Sequence, residues 1–129
     1  MVSAVVQPLG IRMICIVDDD PSVRSATTDL LDSLGYSAAA FDSAESFLNS
    51  KHANATSCLI LDCHLPGLSG LGLQDRLRID GSPVAIIFIT AFPNGNDQKR
   101  ALGAGAVAYL TKPYSEADLI TSIQAALSR

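Results

Sequence analysis

The sequence is poor in cysteine and histidine and has no tryptophan: three cysteines and two histidines occur in 129 residues. The cysteines are odd in number and lie in or beside apolar runs, which favours reduced, buried thiols over a disulfide framework. Two histidines without a Cys-x-x-Cys pair leave little room for a zinc site. The three cysteines are Cys15, Cys58 and Cys63.

Positive charge is also scarce, because 9 Lys and Arg stand against 13 Asp and Glu and give a net charge of −4. This balance argues against direct binding to nucleic acid, which needs a basic face to neutralise phosphate. No apolar run approaches the roughly 20 residues that span a membrane, and residues 1–12 lack the pattern of a secretory signal. We expect a cytoplasmic protein with a short flexible extension at 1–12 and one domain at 13–129.

Apolar residues form four short, dense runs and one weaker run. Each dense run is nearly continuous, which is typical of strands buried on both faces of a parallel sheet. The weaker run is mostly alanine and is expected at an edge. The five predicted strands fall at 13–17, 36–41, 57–61, 84–89 and 106–110.

The segments between these runs have helical spacing and recognisable start signals. Asp20 followed by Pro21 predicts a cap and a first helical residue. Residues 42–45 and 115–118 have the pattern of a capping box. Strands and helices therefore alternate five times. This alternation predicts an α/β fold with a doubly wound parallel sheet and helices on both faces.

Acidic, hydroxyl and basic residues follow the predicted strands at their carboxyl ends. The first strand is followed by three aspartates at 18–20, the third by Asp62, the fourth by Thr90 and the fifth by Thr111 and Lys112. Because functional crevices in open parallel sheets lie outside the carboxyl ends of the strands, we expect these side chains to converge.

This set of residue types points to phosphoryl transfer. Carboxylates packed closely repel one another unless a cation joins them, and all-oxygen ligands suit Mg²⁺. One aspartate beside a metal ion, a hydroxyl and a lysine is equipped to accept a phosphoryl group on its carboxylate. The product would be a reactive acyl phosphate, which suits a reversible signal.

At these residues the sequence resembles the receiver domain of two-component response regulators. The resemblance covers roughly 13–129 and implies a five-stranded, flavodoxin-like sheet of order 2-1-3-4-5. Residues 62–70 match the family pattern Asp-x-x-Met/Leu-Pro-Gly-x-x-Gly. The other matching segments are 17–19, 88–91, 103–106 and 109–113.

The resemblance also implies a role for each site residue. Asp62 would be the phosphorylated residue. Asp19 and Asp62 would bind Mg²⁺ by their side chains, His64 would offer its backbone carbonyl, and Asp18 would support the ion through water. Thr90 and Lys112 would contact the phosphoryl group.

A switch and a set of partners are implied in the same way. Thr90 and Tyr109 would be the switch pair, although Tyr109 alone is equally typical of strand packing. The output surface would comprise helix 97–102, the fifth strand and the last helix. The resemblance implies a signalling protein rather than an enzyme. Its donor would be a histidine kinase or phosphotransfer protein, and its target an output protein or domain. Phosphorylation could also produce a homodimer.

Three other functions share parts of this pattern. A haloacid dehalogenase-type phosphatase would use Asp18 in an Asp-x-Asp motif, but the chain is short and Asp62 would be unexplained. A flavodoxin-like FMN carrier should have a phosphate loop rich in Ser, Thr or Gly instead of three acids. A non-phosphorylated receiver scaffold would not need the complete set of Asp, Thr and Lys residues.

Two residues depart from the usual receiver pattern near the path of an attacking water. His64 lies two positions after Asp62, and Phe92 lies two positions after Thr90. A bulky phenyl ring excludes water and cannot orient it. We therefore expect slow self-dephosphorylation. Cys63 is expected to be a structural thiol, because no basic neighbour is evident that would favour a thiolate.

Overall fold

The computed structural model describes residues 12–128, in which strands and helices alternate as predicted. None of the helices in this part of the chain is long and apolar enough to cross a membrane. Of the extension predicted at 1–12, only Arg12 is described. The elements are β1 (Met13–Val17), α1 (Pro21–Ser33), β2 (Ser37–Phe41), α2 (Ala44–Leu48), β3 (Cys58–Asp62), α3 (Gly70–Ile79), β4 (Ala85–Thr90), α4 (Gly95–Gly103), β5 (Ala108–Thr111) and α5 (Glu116–Leu127).

The five strands form one parallel sheet of order β2-β1-β3-β4-β5, which confirms the predicted fold. β3 and β4 are buried along their whole length because they lie in the middle of the sheet. The alanine-rich β2 lies at one edge and is partly exposed, as its composition predicts. The order places the ends of β1, β3 and β4 side by side, where the candidate site residues begin.

The sheet separates two apolar clusters. Val17, Leu61 and Phe88 face α2, α3 and α4, whereas Ile16, Ile60 and Ile87 face α1 and α5. Successive strand residues point to opposite faces, and both faces are covered. This explains why the central strands are nearly continuous apolar runs, because neither face can accept polar side chains.

The helix caps follow the sequence signals at two of three predicted positions. The Asp20 side chain accepts from the backbone N–H of Ser22, and Ser115 accepts from Asp118. The capping box predicted at 42–45 is wrong: the cap is Ser43, which accepts from the N–H of Ser46. The Glu45 side chain instead extends to the loop that follows β3.

The Glu45 side chain forms a hydrogen bond with the loop that follows β3. Its Oε2 accepts a 2.9 Å hydrogen bond from the N–H of Leu68, 23 residues further along the chain. That bond lowers the pKa of the Glu45 carboxyl. The acidic residue therefore helps to shape the loop after Asp62 rather than capping α2.

Gly70 is a position at which a side chain would disturb this loop. A Cβ there would collide with the backbone carbonyl of Asp62 and would press on the Cα of Cys63. We expect Gly70→Ala to destabilise the fold by about 1–3 kcal/mol, because the backbone around Asp62 must shift. Gly95→Ala is a matched control at the first residue of α4, where a Cβ has open space. Urea unfolding of both variants checks this, and equal stabilities would contradict it.

Candidate functional site

The carboxyl ends of four strands bring the candidate residues together. β1, β3 and β4 end next to Asp18, at Asp62 and at Thr90, respectively. Lys112 follows β5 at the sheet edge, and its side chain reaches back to β3 and β1. The predicted convergence is therefore present.

Asp18 is fully buried and is held through both carboxylate oxygens. Its Oδ2 accepts a 2.8 Å hydrogen bond from Lys112 Nζ, and its Oδ1 accepts one of 2.9 Å from the N–H of Asp20. The Asp18 carbonyl accepts from the Arg24 guanidinium at 2.8 Å. Asp18 is thus a fixed negative charge at the base of the site.

Asp62 lies beside it, with 6% of its surface exposed. Its Oδ1 accepts a 2.9 Å hydrogen bond from the N–H of His64, and its Oδ2 lies 3.3 Å from Lys112 Nζ. Burial raises the pKa of the Asp62 carboxyl, and the charge of Asp18 adds to the rise, although His64 and Lys112 oppose it. The carboxylate reaches the surface and is oriented by the backbone.

Lys112 is the cation that connects the two carboxylates. Burial alone would lower its pKa, but its hydrogen bond to Asp18 and the charges of Asp62 and Asp18 leave the pKa above its ordinary value. Lys112 is therefore charged at neutral pH. Its ammonium lies between the two carboxylates, 2.8 Å from Asp18 Oδ2 and 3.3 Å from Asp62 Oδ2.

The acidic residues form a cluster suited to a hard cation. Carboxylate oxygens of Asp18, Asp19 and Asp62 lie within 4.8 Å of one another. Asp18 and Asp62 are buried, whereas Asp19 is exposed to solvent. Three converging carboxylates are an oxygen donor set that fits Mg²⁺.

Thr90 and Tyr109 are both bonded to the segment between β4 and α4. Thr90 is fully buried, and its Oγ1 accepts a 3.0 Å hydrogen bond from the N–H of Phe92. The Tyr109 hydroxyl lies 3.4 Å from the N–H of Asn94. The two proposed switch residues therefore contact one short stretch of backbone, which leads directly into α4.

The segment after Asp62 holds a cysteine and a histidine in different environments, the first buried and the second exposed. Cys63 is a buried free thiol, and burial, with the charge of Asp97, raises its pKa to about 11. The thiol is protonated at neutral pH, as expected of a structural cysteine. The exposed His64 ring turns toward Phe92, whose carbonyl lies 3.3 Å from His64 Nε2.

The fold and these residues define a class of protein: a flavodoxin-like α/β domain with a buried aspartate, further acids and a lysine at the carboxyl edge of its sheet. Residues 14–124 match the family model described as the response regulator receiver domain. The chain belongs to this family of receiver domains, which act as phosphoacceptors in two-component systems.

Relatives and solved structures agree with this assignment. The chain is 42% identical over 115 residues to the response regulator protein TodT of Pseudomonas putida F1, covering 89% of this chain and 51% of TodT. It is 32% identical over 114 residues to the transcriptional regulatory protein FixJ of Bradyrhizobium diazoefficiens, covering 88% and 56%. The BeF3-activated DrrB receiver domain is 26% identical with a TM-score of 0.82, covering 92% of this chain and 99% of that one. The chain thus spans about half the length of these curated relatives.

Because the Asp62 carboxylate is buried, we expect a variant without its charge to be more stable than the wild type, by an amount that depends on pH. Because the pKa of Asp62 is raised in the folded state, ionisation of this carboxyl lowers the free energy of unfolding. This loss of stability is absent at a pH well below the ordinary pKa of 3.8 and is complete at a pH above the raised pKa of the folded protein. We expect Asp62→Asn to raise Tm at neutral pH by on the order of a few degrees, with no gain in strong acid. Thermal melts with EDTA test this.

The exposed Asp29 on α1 provides the control for this experiment. Asp29→Asn removes a negative charge that is already solvated, so we expect little change in Tm at any pH. A Tm for Asp62→Asn that is equal to or below that of the wild type at neutral pH would contradict the account of the buried charge.

Proposed function

We propose that Asp62 is the phosphoacceptor of this receiver domain. The observation that carries the proposal is the placement of its carboxylate, which is held by the His64 N–H and lies 3.3 Å from the Lys112 ammonium beside two further acids. An oriented nucleophile next to a fixed cation is the arrangement that phosphoryl transfer to a carboxylate requires.

In the proposed reaction an Asp62 oxygen attacks the phosphorus of the donor. A new O–P bond forms, the donor's bond to phosphorus breaks, and the leaving group takes up a proton. Lys112 neutralises charge on the phosphoryl oxygens. The Thr90 hydroxyl accepts from Phe92 and so keeps its own proton free to donate to one of those oxygens.

The acidic cluster is proposed to hold Mg²⁺. Asp19 and Asp62 would contribute side-chain oxygens, His64 its backbone carbonyl, and Asp18 would act through water, since both of its oxygens already accept internal hydrogen bonds. When bound, the ion would neutralise charge on the transferring phosphoryl group.

The geometry supports a route from the phosphoryl group to α4. If the Thr90 hydroxyl turns toward the phosphoryl group, its hydrogen bond with the N–H of Phe92 changes. The same segment of backbone would then move, and the hydrogen bond between the Asn94 N–H and the Tyr109 hydroxyl would break or re-form with it. Phosphorylation would then bias the β4–α4 segment between two states. The proposed output surface is α4, β5 and α5.

The proposed partners follow from the family. The donor is a histidine kinase or phosphotransfer protein in the cytoplasm, and the receiver unit is 13–129. The recipient of the signal is an output domain or a separate protein, in keeping with the longer relatives and with the printed description of FixJ as a transcriptional regulator. A phosphorylation-dependent homodimer is a further form that the output could take.

The phosphatase alternative is not favoured. It requires Asp18 as the nucleophile, yet Asp18 is fully buried, and its two oxygens accept from Lys112 and from the backbone of Asp20. Asp62, unlike Asp18, has part of its surface exposed, at 6%. The chain's membership of the receiver family agrees with this difference.

The test of the proposed function is intact mass spectrometry after incubation with acetyl phosphate and Mg²⁺. We expect a single adduct of about 80 Da, formed with Mg²⁺ and absent with EDTA. Continued consumption of acetyl phosphate without an adduct would indicate a phosphatase. Neither an adduct nor turnover would indicate a receiver scaffold that is not phosphorylated.

We further propose that self-dephosphorylation is slow because of Phe92. Phe92 is 73% exposed, its ring lies edge-on to His64, and a phenyl group offers no carboxylate or amide that could orient water. Phe92→Glu is expected to shorten the phosphoryl half-life on the order of tenfold, by supplying a base. Phe92→Leu should leave it nearly unchanged. A half-life of seconds in the wild type, unaltered in Phe92→Glu, would contradict this.

A further inference from the structure

A second group of metal-ligating side chains lies beside the acidic cluster but shares no side chain with it. Cys63 and His64 follow Asp62, and Asp97 lies in the first turn of α4. One ligand atom from each of the three residues lies within 4.8 Å of the other two. The loop after β3 and helix α4 therefore bring together a thiol, an imidazole and a carboxylate.

The separation of two of the ligand atoms is close to that in a tetrahedral metal site. His64 Nε2 is 4.0 Å from Asp97 Oδ2. Zinc bonds of about 2.0–2.3 Å place tetrahedral ligand atoms about 3.3–3.8 Å apart. The His64 and Asp97 side chains, which reach the surface, must therefore rotate to bring the three ligand atoms closer together. The Phe92 carbonyl oxygen, 3.3 Å from the same His64 nitrogen, is available as a fourth donor.

The ligand types and charges select the metal. Sulfur with nitrogen and oxygen donors suits zinc, whereas the three carboxylates of the acidic cluster suit Mg²⁺. A Cys63 thiolate and an Asp97 carboxylate together would balance the charge of Zn²⁺. The positive charge of Arg100 acts to lower the pKa of Cys63. The Arg100 guanidinium also forms an ion pair with Asp75 at 2.6 Å.

We propose that the side chains of Cys63, His64 and Asp97 form a zinc-binding site, which uses none of the side chains of the phosphorylation site. Binding breaks the S–H bond of Cys63 and forms a Zn–S bond, and the proton passes to solvent. Cys63 is buried, while His64 and Asp97 reach the surface, so the metal enters from their side. Zinc would then fasten the loop after Asp62 to the start of α4.

This connection would affect the proposed switch. Cys63 belongs to the apolar cluster against which Tyr109 packs, and the Tyr109 hydroxyl contacts Asn94 at the cap of α4. A metal on Cys63 and Asp97 would hold α4 in one position. The sequence does not show the ligand spacing of a known zinc motif, because Asp97 lies 33 residues after His64 and reaches it only through the fold.

Cobalt provides the direct test, because tetrahedral Co²⁺ bound to a thiolate has a near-ultraviolet charge-transfer band and strong visible bands. We expect the reduced protein to develop these bands with one equivalent of Co²⁺ and to lose them when Zn²⁺ displaces the cobalt. Cys63→Ser should abolish the charge-transfer band. His64→Ala and Asp97→Asn should each weaken Zn²⁺ binding by at least about tenfold, as expected for loss of a ligand.

Two control variants separate this site from other thiols and acids. Cys58→Ser, in the opposite apolar cluster, and Asp19→Asn, in the acidic cluster, should both retain the bands. Absence of a charge-transfer band in the wild type would overturn the proposal. Persistence of the band in Cys63→Ser, or unaltered zinc affinity in both His64→Ala and Asp97→Asn, would also overturn it.

Discussion

Asp62→Asn is expected to abolish the phosphoryl adduct that forms with acetyl phosphate and Mg²⁺. The amide is nearly isosteric but is not a nucleophile, and it removes one charge from the acidic cluster. The hydrogen bond from the His64 N–H to Oδ1 can be retained by the amide oxygen, so the loop should keep its shape. Intact mass spectrometry checks this result, and circular dichroism shows that the variant is folded.

Asp75→Asn is the matched control for loss of an aspartate. Asp75 lies on α3, where it pairs with Arg100 and Arg78 away from the acidic cluster. Its replacement should leave adduct formation unchanged. An adduct on Asp62→Asn, with none on Asp18→Asn, would contradict the assignment of Asp62 and favour the phosphatase reading of residues 18–20.

Lys112→Met is expected to slow phosphorylation by acetyl phosphate by at least about 100-fold. Methionine keeps much of the aliphatic stem but removes the ammonium that lies 2.8 Å from Asp18 and 3.3 Å from Asp62. Without it, the two buried carboxylates repel each other and the phosphoryl charge is less well neutralised. A time course of adduct formation measures the rate.

Lys99→Met on α4 is the control for this variant, because Lys99 is an exposed lysine outside the acidic cluster. It should be phosphorylated at the wild-type rate. If Lys112→Met melts at a lower temperature but is phosphorylated at the wild-type rate at a temperature where it is folded, then Lys112 has only a structural role. That outcome would contradict the proposed contact with the phosphoryl group.

The sheet could be predicted from sequence because its chemistry is local and repetitive. A central strand buried on both faces must be apolar throughout, and runs such as 57–61 and 84–89 meet that requirement. Strand ends were less well determined: β5 begins at Ala108, two residues after the predicted start at 106. The pairing with β4 begins at Ala108, opposite Ile87, although Ala106 and Val107 are also apolar.

The site could be predicted as a set of residues but not as an arrangement. Parallel strands must deliver their following residues to one edge, which brought Asp62 and Lys112 together. Among the three adjacent aspartates, however, composition cannot distinguish the buried Asp18 from the exposed Asp19. Their different roles depend on Lys112, which lies 94 residues from Asp18 in the chain.

Contacts made by loops were the least predictable. Glu45 has the spacing of a capping residue but bonds to Leu68, because the loop after β3 offers it an unpaired N–H. Likewise, Asp97 has the position of a helix-start acid, yet it faces Cys63 and His64. Each pairing requires the full fold, so no local pattern reveals it.

The most direct test of the central claim is to locate the phosphoryl group. Borohydride reduces an acyl phosphate on aspartate to homoserine, about 14 Da lighter than aspartate. Trypsin would release Asp62 in peptide 52–76 and the three adjacent aspartates in peptide 13–24. We expect homoserine at position 62, formed only when acetyl phosphate and Mg²⁺ are both present. Homoserine at position 18 or 19, with none at 62, would contradict it.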